Sequence, residues 1–338
     1  MKIAVVILNW NGKELLKQFL PSVINYTPDT AEIIIADNNS SDGSVEFIKQ
    51  AYPKIRLILN NENLGFAKGY NAALKEVEAD YFILLNSDIE VTENWIEGII
   101  ELMESDNTIA ACQPKILSFK EKNLFEYAGA AGGFIDKLGY PFCRGRILQS
   151  VETDNGQYDD IKEIFWATGA CMFVRADYFN KMGGFDDDFF AHMEEIDLCW
   201  RLKNAGYKIF YYPHSKIYHV GGATLNKMSP QKTYLNFRNN LSLIYKNIQE
   251  KKLKKVLFIR ALLDFLAAVT FIFSGGFSHF NAVIRAYYSF YKSQKIIKSK
   301  RKKISQIEVD GIYKKSIVKQ YYFQKKIFFS ELNKTDFL

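Results

Sequence analysis

Apolar residues fall along the first hundred positions in two alternating rhythms. Residues 3–8 are apolar throughout, and 13–25 follow with Leu15, Leu16, Phe19, Leu20, Val23 and Ile24 at helical spacing. The alternation repeats, predicting strands over 32–36, 55–59 and 81–85 and helices over 45–51, 65–77 and 93–103. Strands that are apolar throughout are buried on both faces, and helices of about 10 to 15 residues between them act as crossovers. The pattern therefore predicts an α/β domain, a mostly parallel central sheet flanked by helices. From 110 to 225 the regularity falls. Residues 129–139 and 152–160 read as loops, 165–174 as a strand, 194–205 as a helix and 208–212 as a strand. Beyond about 230 the chain reads as helical, basic and aromatic. The expected division is 1–240 for the sheet domain and 241–338 for a helical extension.

At 338 residues and 48% hydrophobic, the chain can build a sizeable core, which excludes a disordered protein. The net charge of +6 is uneven: between 251 and 303 thirteen lysines and arginines face one acid, Asp264. Such a segment, interleaved with aromatics, suits anionic lipid or nucleic acid, and equally a solvated charged face. Its hydrophobic part, 256–277, is interrupted by Arg260 and Asp264, whereas a spanning helix needs about 20 apolar residues. A helix lying in a membrane interface, its lysines meeting headgroups, fits better, with a buried helix or homo-oligomer contact as the alternative. No nucleic-acid partner is expected. Cys112, Cys143, Cys171 and Cys199 are scattered without a CxxC pair, and residues 1–8 run on without a cleavage site. These features predict reduced thiols and a cytoplasmic protein.

In an open parallel sheet, ligands gather at the carboxyl ends of the strands. Three polar clusters fall there: Asn9-Trp10-Asn11-Gly12, residues 37–43, and Asn86-Ser87-Asp88. A dinucleotide fold would show G-x-G-x-x-G after the first strand, where only Gly12 stands. Asp37 suits a hydrogen bond from a base or ribose hydroxyl, and equally the start of a turn. A leaving nucleoside diphosphate needs its charge neutralised. Mg²⁺ or Mn²⁺ does this with few carboxylates, because the phosphates complete the shell. Asp88 fits the metal carboxylate and Asn86 a ribose contact. Downstream, Glu194, Glu195 and Asp197 crowd one helical turn behind the acidic-aromatic run 185–190. Acids there also favour the helix dipole, and Asp197 can pair with Arg201. Crowding of like charge raises at least one pKa, as a general base requires.

Taken in order, seven stretches resemble the family 2 glycosyltransferases, in the rhamnosyltransferase-like branch of bacterial polysaccharide biosynthesis. They are Val5-Val6-Ile7-Leu8-Asn9-Trp10-Asn11-Gly12, residues 37–44, residues 63–71, Leu84-Leu85-Asn86-Ser87-Asp88, Thr168-Gly169-Ala170-Cys171, Gly183-Gly184-Phe185-Asp186 and residues 194–201. The resemblance implies a GT-A (nucleotide-diphospho-sugar transferase) fold and inversion at the anomeric carbon. It implies transfer from a UDP- or dTDP-sugar to a hydroxyl of a glycan or polyprenyl-linked acceptor. The tail beyond about 240 is not covered; its basic aromatic character suggests a chain peripheral on the cytoplasmic face of the bacterial inner membrane.

The resemblance also assigns roles. Leu8, Asn9, Asn11, Asp37, Asn39, Gly65, Lys68, Asn71, Asn86, Ser87, Asp88 and Gly169 form the donor pocket, with Asp37 on the nucleobase. Asn86-Ser87-Asp88 stands for the D-x-D element. His219, in Tyr218-His219-Val220-Gly221-Gly222, completes the metal site with Asp88. Glu194-Glu195 stands where many relatives carry Glu-Asp, which makes Glu195 the base, with Asp197 as its rival. Two other functions compete. A sugar-phosphate nucleotidyltransferase would want a glycine-rich basic loop after the first strand. A vestigial membrane-surface scaffold would bind no nucleotide.

Overall fold

The computed structural model describes residues 1–221 and 229–337, so Gly222, which ends the histidine motif, lies outside the described residues. Strand β1 (Ile3–Asn9), helix α1 (Lys13–Tyr26), β2 (Ala31–Asp37), α2 (Ser44–Ala51), β3 (Arg56–Leu59), α3 (Gly65–Leu74) and β4 (Tyr81–Asn86) follow the expected order. The strands pair in parallel as β3-β2-β1-β4. Val5 and Ile7 pack on one face with Leu16 and Leu20 of α1, while Ala4 and Val6 pack on the other with Tyr70 and Ala73 of α3. Both faces are covered, which is why these strands lack polar alternation. The register sets Asn9 beside Asp37 and Leu8 beside Asn86. Three candidate polar positions therefore finish neighbouring strands on one edge of the sheet.

Beyond β4 the sheet becomes mixed. After β5 (Ile89–Val91), α4 (Glu97–Ser105) and β6 (Ile109–Ser118) come four short strands, β7 (Gly133–Asp136), β8 (Pro141–Cys143), β9 (Arg146–Ile147) and β10 (Ser150–Val151), which form a second sheet. Then follow β11 (Lys162–Ile164), β12 (Cys171–Arg175), α5 (Ala176–Lys181), α6 (Glu194–Asn204) and β13 (Lys208–His219). Strand β12 lies antiparallel between β4 and β6. The expected strand over 165–174 begins only at Cys171, because Trp166 Nε1 donates to Phe134 O and the Thr168 amide to Gln113 Oε1. Strand β13 outruns the expected 208–212, passing a register shift between Tyr212 and Lys216 to deliver His219 to the ligand edge.

The rest of the chain is α7 (Pro230–Asn247), α8 (Glu250–Ser274), α9 (Phe277–Lys292), α10 (Gln294–Arg301), β14 (Ile312–Tyr313) and α11 (Ile317–Gln324). The expected boundary at 240 falls inside α7. Strand β14 joins the second sheet beside β7, and Phe329 and Phe337 pack on Phe134 and Phe142. The four cysteines are buried and unpaired. Helix α8 carries a buried ion pair of its own, Arg260 Nε 3.2 Å from Asp264 Oδ1, and both partners reach out to fix it to the rest of the protein. The Arg260 guanidinium stacks 3.9 Å from the Tyr140 ring centroid. Tyr140 and Tyr287 both donate to the Asp264 carboxylate, at 2.9 and 2.8 Å.

Removing one partner of a buried pair strands the other charge. Arg260→Met should therefore cost about 3–5 kcal/mol, while Arg260→Met combined with Asp264→Leu should recover most of it. Urea denaturation of both variants checks this; equal losses would mean the pair is not coupled.

Candidate active site at the carboxyl edge of the sheet

The donor-facing loops are held by their own side chains. Asn9 Nδ2 donates to Asp37 Oδ2 at 2.8 Å, Ser44 Oγ at 3.0 Å and Ser40 Oγ at 3.2 Å, while Asp37 Oδ1 accepts from the Ser40 amide at 2.8 Å. Asp37, buried, thus organises the loop it opens. Asn11 and Asn39 take left-handed backbone (φ 50 and 60), which asparagine tolerates, and Asn11 Oδ1 caps the Ser41 amide at 2.8 Å. A Cβ on Gly12 would sit 2.5 Å from Asn9 Oδ1 and 3.5 Å from Ser87 Oγ, so the glycine lets these loops meet. Asn9 Oδ1 is buried without a partner at that spot. Leu8 packs into the core below, and Lys68 is exposed on α3.

One assigned pocket residue is placed elsewhere. Asn71 Nδ2 donates to Phe185 O at 2.8 Å and Asp187 Oδ1 at 2.7 Å, and its Oδ1 accepts from the Phe185 amide at 2.9 Å. With all of its amide engaged there, Asn71 braces the acidic loop rather than lining a nucleotide pocket. Gly65 does similar work: the Phe66 amide donates to Phe190 O at 2.7 Å, and a Cβ on Gly65, at φ 72, would lie 2.5 Å from that oxygen.

Asp88 and His219 do meet. His219 Nε2 lies 3.1 Å from Asp88 Oδ1 and 3.5 Å from Asn86 Nδ2, and Nδ1 lies 3.4 Å from Glu126 Oε1. The last separation is an ion pair rather than a good hydrogen bond. Burial works against the imidazolium, but Glu126 and Asp88 together push His219 up to about 10. Burial likewise works against the Asp88 carboxylate, which His219 nonetheless holds below its ordinary range. A carboxylate oxygen and an imidazole nitrogen sharing one proton fit a divalent cation that would displace it, with Glu126 fixing the ring from behind. Among the described residues no closed cage of three or more such ligands exists. A site completed by phosphate oxygens needs none. Nothing around Glu126 in the sequence marked it; only the path of the 118–130 segment past β13 places it.

Helix α6 sorts its three acids by environment. Asp197 is fully buried and committed: Oδ2 accepts from Arg201 Nε at 2.8 Å and Lys246 Nζ at 2.9 Å, and Oδ1 from Asn247 Nδ2 at 2.9 Å. With the side chain fully buried and both carboxylate oxygens held by these partners, Asp197 is closed to an acceptor hydroxyl, which favours Glu195 over it as base. Glu194 is buried and its Oε2 unpaired; burial first, then the charges of Glu195 and Asp197, push it well above the usual carboxylate range. Glu195 is half-buried, its Oε2 also unpaired, and burial raises it to about 7. Its Cβ would be 3.8 Å from a Cβ on Gly169, where the Phe66 ring at 2.9 Å also forbids a side chain. The Asn86 amide donates to the next carbonyl, Ala170 O, at 2.9 Å, so Glu195 stands beside the Asn86-Ser87-Asp88 turn.

The approach to α6 is strained. His192 and Met193 both have left-handed backbone (φ 70 and 73), which neither residue favours. Helix α7 holds them there: Asn239 Nδ2 donates to Ala191 O and His192 O at 2.9 and 2.8 Å, and Arg238 to Asp188 O at 2.8 Å. The acidic loop is tied to Lys246 and Lys300 through Asp186; burial opposes that charge, but the two lysines hold it well below its ordinary value. A cavity of about 810 Å³ lies elsewhere, between Phe134, Tyr158 and Phe329, and is lined by none of the candidate residues.

Comparison with known proteins agrees with this geometry. The sequence model described as glycosyl transferase family 2 matches residues 4–183, more than half of the chain, and the chain belongs to that family. It is similar to the N-acetylglucosaminyl-diphospho-decaprenol L-rhamnosyltransferase of Mycobacterium tuberculosis, 26% identical over 235 residues, covering 64% of this chain and 75% of that one. It is also similar to rhamnosyltransferase WbbL of Escherichia coli, 25% identical over 218 residues, covering 62% and 80%. Among solved structures, GalNAc-T7 with UDP, GalNAc and Mn²⁺ superposes with a TM-score of 0.60 at 18% identity, over 75% of this chain and 49% of that chain. The fold is GT-A, and the chain is a glycosyltransferase.

The two acids predict opposite stability effects. For Glu195 burial raises the folded-state pKa above its ordinary 4.5, so the stability of its neutral form is full below about 4.5 and lost as pH rises through about 7. Glu195→Gln should therefore raise stability at pH 8 by about 1–3 kcal/mol. Asp197→Asn, which leaves Lys246 and Arg201 facing an uncharged amide, should lower it by about 2–5 kcal/mol. Thermal melts at pH 8 compare them; a destabilised Glu195→Gln would show that its carboxylate is paired.

Proposed function

We propose that this family 2 glycosyltransferase transfers a sugar with inversion from a UDP- or dTDP-sugar to a hydroxyl of a lipid-linked glycan. The observation that carries the reading is the Glu195 carboxyl, its Oε2 unpartnered and its pKa raised to about 7, beside the turn that holds Asp88. A base poised near neutral pH removes a hydroxyl proton efficiently. Glu195 takes the proton from the acceptor hydroxyl, whose oxygen forms the new bond to the anomeric carbon as the bond to the nucleoside diphosphate breaks. Glu194, kept protonated by burial, keeps a second negative charge away from the incoming hydroxyl. Asn9, Asn11, Asn39 and Ser87 shape the donor edge, with Asp37 on the nucleobase side, and Gly169 lets the Phe66 ring pack close beneath Glu195. Asp88 and His219 would hold Mg²⁺ or Mn²⁺, which when bound neutralises charge on the departing diphosphate.

The lipid-linked acceptor is supported by the name of the mycobacterial relative, whose substrate carries a decaprenol. The same reading supports a chain peripheral on the cytoplasmic face of the inner membrane, in the synthesis of a surface polysaccharide. The donor edge lacks the basic, glycine-rich loop a nucleotidyltransferase would need, since only Gly12 and Lys13 follow β1.

A panel of UDP- and dTDP-sugars with Mg²⁺ or Mn²⁺ tests the reaction. Release of nucleoside diphosphate is expected; release of diphosphate would overturn the reading in favour of nucleotidyl transfer. Asp88→Ala and Glu195→Gln should each lower turnover by about 10²-fold or more with the fold intact. Turnover should fall as pH drops below about 7, because the base must be ionised. The limb belongs to the Glu194/Glu195 pair and should vanish in the residual activity of Glu195→Gln. A pH-independent wild type would remove Glu195 as base.

A further inference from the structure

Helix α8 is arranged inside out. Past Lys255 its only charged residues, Arg260 and Asp264, face the catalytic body, where Arg260 Nη1 also donates to Leu138 O at 3.1 Å. Its solvent face carries Phe258, Leu262, Phe265, Leu266, Ile272 and Phe273. Their spacing makes a single stripe along the helix. At the Gly275–Gly276 turn, Phe273 and Phe277 are 87% and 67% exposed. Helix α9 continues the exposed surface with Ile284, Tyr288 and Tyr291. A soluble surface rarely leaves an apolar patch of this extent without a partner.

The charges around the patch say what that partner is. Helices α8 and α9 run back to back from the turn, so residues equally far from it lie at similar heights. Lys254 and Lys255 on α8 therefore come level with Lys295 and Lys298 at the start of α10. These four lysines are exposed and form no ion pair among the described residues. Tyr288 and Tyr291 fall between the lysines and the phenylalanine-rich turn. Apolar residues, then amphipathic aromatics, then cations is the order in which side chains meet a bilayer with an anionic surface. A second copy of the chain fits less well, because a two-fold contact through this patch would set the lysine fringes against each other, with hairpins parallel, or against the phenylalanine-rich turn, with hairpins antiparallel.

We infer that the apolar face of the α8–α9 pair is a docking surface for an anionic lipid bilayer, and that α8 lies along the interface rather than across the membrane. Helix α8 does pass the length and hydropathy requirements of a span. Its middle, however, is fixed to the catalytic body by Arg260 and Asp264, with Tyr140 and Tyr287 closing the carboxylate. Withdrawing it to span would abandon that buried pair in hydrocarbon. Among the described residues, α7 links the hairpin to the loop ahead of Glu195. Thr233 Oγ1 lies 2.8 Å from His279 Nδ1 and Tyr234 OH 3.0 Å from Ser289 Oγ on the hairpin side, while Arg238 and Asn239 grip residues 188–192 on the other. The docked face thus sets the loop ahead of Glu195 one helix away from the lipid. The surface deepens the lipid-linked acceptor reading and rests on it only for what the bilayer presents.

Point substitution tests this better than truncation, because the tail also fills the core. Co-sedimentation of the full chain should show binding to vesicles of phosphatidylglycerol and phosphatidylcholine in equal parts, and weak binding to phosphatidylcholine alone. Phe273→Glu with Phe277→Glu should lower affinity for the mixed vesicles by at least about tenfold. Donor hydrolysis in solution should stay unchanged. Lys254→Gln with Lys255→Gln and Lys295→Gln should remove most of the salt dependence. Unchanged vesicle binding by the phenylalanine variant overturns the proposal. So does a wild-type dimer in sedimentation that the same variant splits while neither binds vesicles. Loss of donor hydrolysis with vesicle binding intact would count against the enzymatic reading alone.

Discussion

The ammonium of Lys246 is the contact on which the rest of this molecule turns. It is buried between Asp186, from the acidic loop, and Asp197, from the catalytic helix, and it comes from α7, an element outside the sheet. A buried cation must be matched by carboxylates, so α7 is compelled to meet the acidic loop and the helix that follows it, 60 and 49 residues earlier in the chain. Arg201 closes the network from the last turn of α6, with its other nitrogens on Met182 O and Gly184 O. The outcome is a catalytic helix whose start cannot drift relative to the sheet edge. Positional error at a reacting hydroxyl is costly, and this network fixes the helix in place of substrate contacts.

The same network explains how three neighbouring acids acquire different chemistry. Asp197 spends its charge on Lys246 and Arg201. Glu194 and Glu195 receive no cation at all; burial is the first cause that drives both upward, and for Glu194 the charges of Glu195 and Asp197 add to it. Two environments within one turn of helix separate a structural carboxylate from a proton acceptor. The separation depends on α7, because without Lys246 the charge of Asp197 would be left to act on its neighbours.

The parallel half of the sheet was legible because its strands are buried on both faces and its helices are long enough to show their period. The second sheet was not, since strands of two to four residues leave no period to read and hold together through partners such as Trp166 and Phe134. At the site, residue type and order pointed to Asp88, His219 and Glu195, all of which the fold gathers at one edge. Asn71 went astray because an amide that could meet a ribose can equally brace a backbone, and only tertiary structure shows the Phe185 peptide in its grip. Asp197 and Glu195 were indistinguishable for the same reason: the deciding cation lies 49 residues away. Glu126 carried no local mark, being set by where its loop passes β13.

The expected split at residue 240 was the least physical of the sequence divisions, and its failure is instructive. Composition changes near there because the chain turns from building a sheet to building a basic, aromatic surface. Packing does not change there. Asn239 and Arg238 hold the strained pair His192-Met193 in left-handed conformation, and a strained loop persists only where its surroundings over-determine it. Beyond 240, Lys246 and Asn247 hold Asp197, and Lys246 and Lys300 hold Asp186, so the tail also supports the helix that carries Glu195. Any force applied to the exposed face of α8 and α9 passes through α7 to that loop, since α7 touches both. Surface attachment and catalysis in this fold thus share one helix.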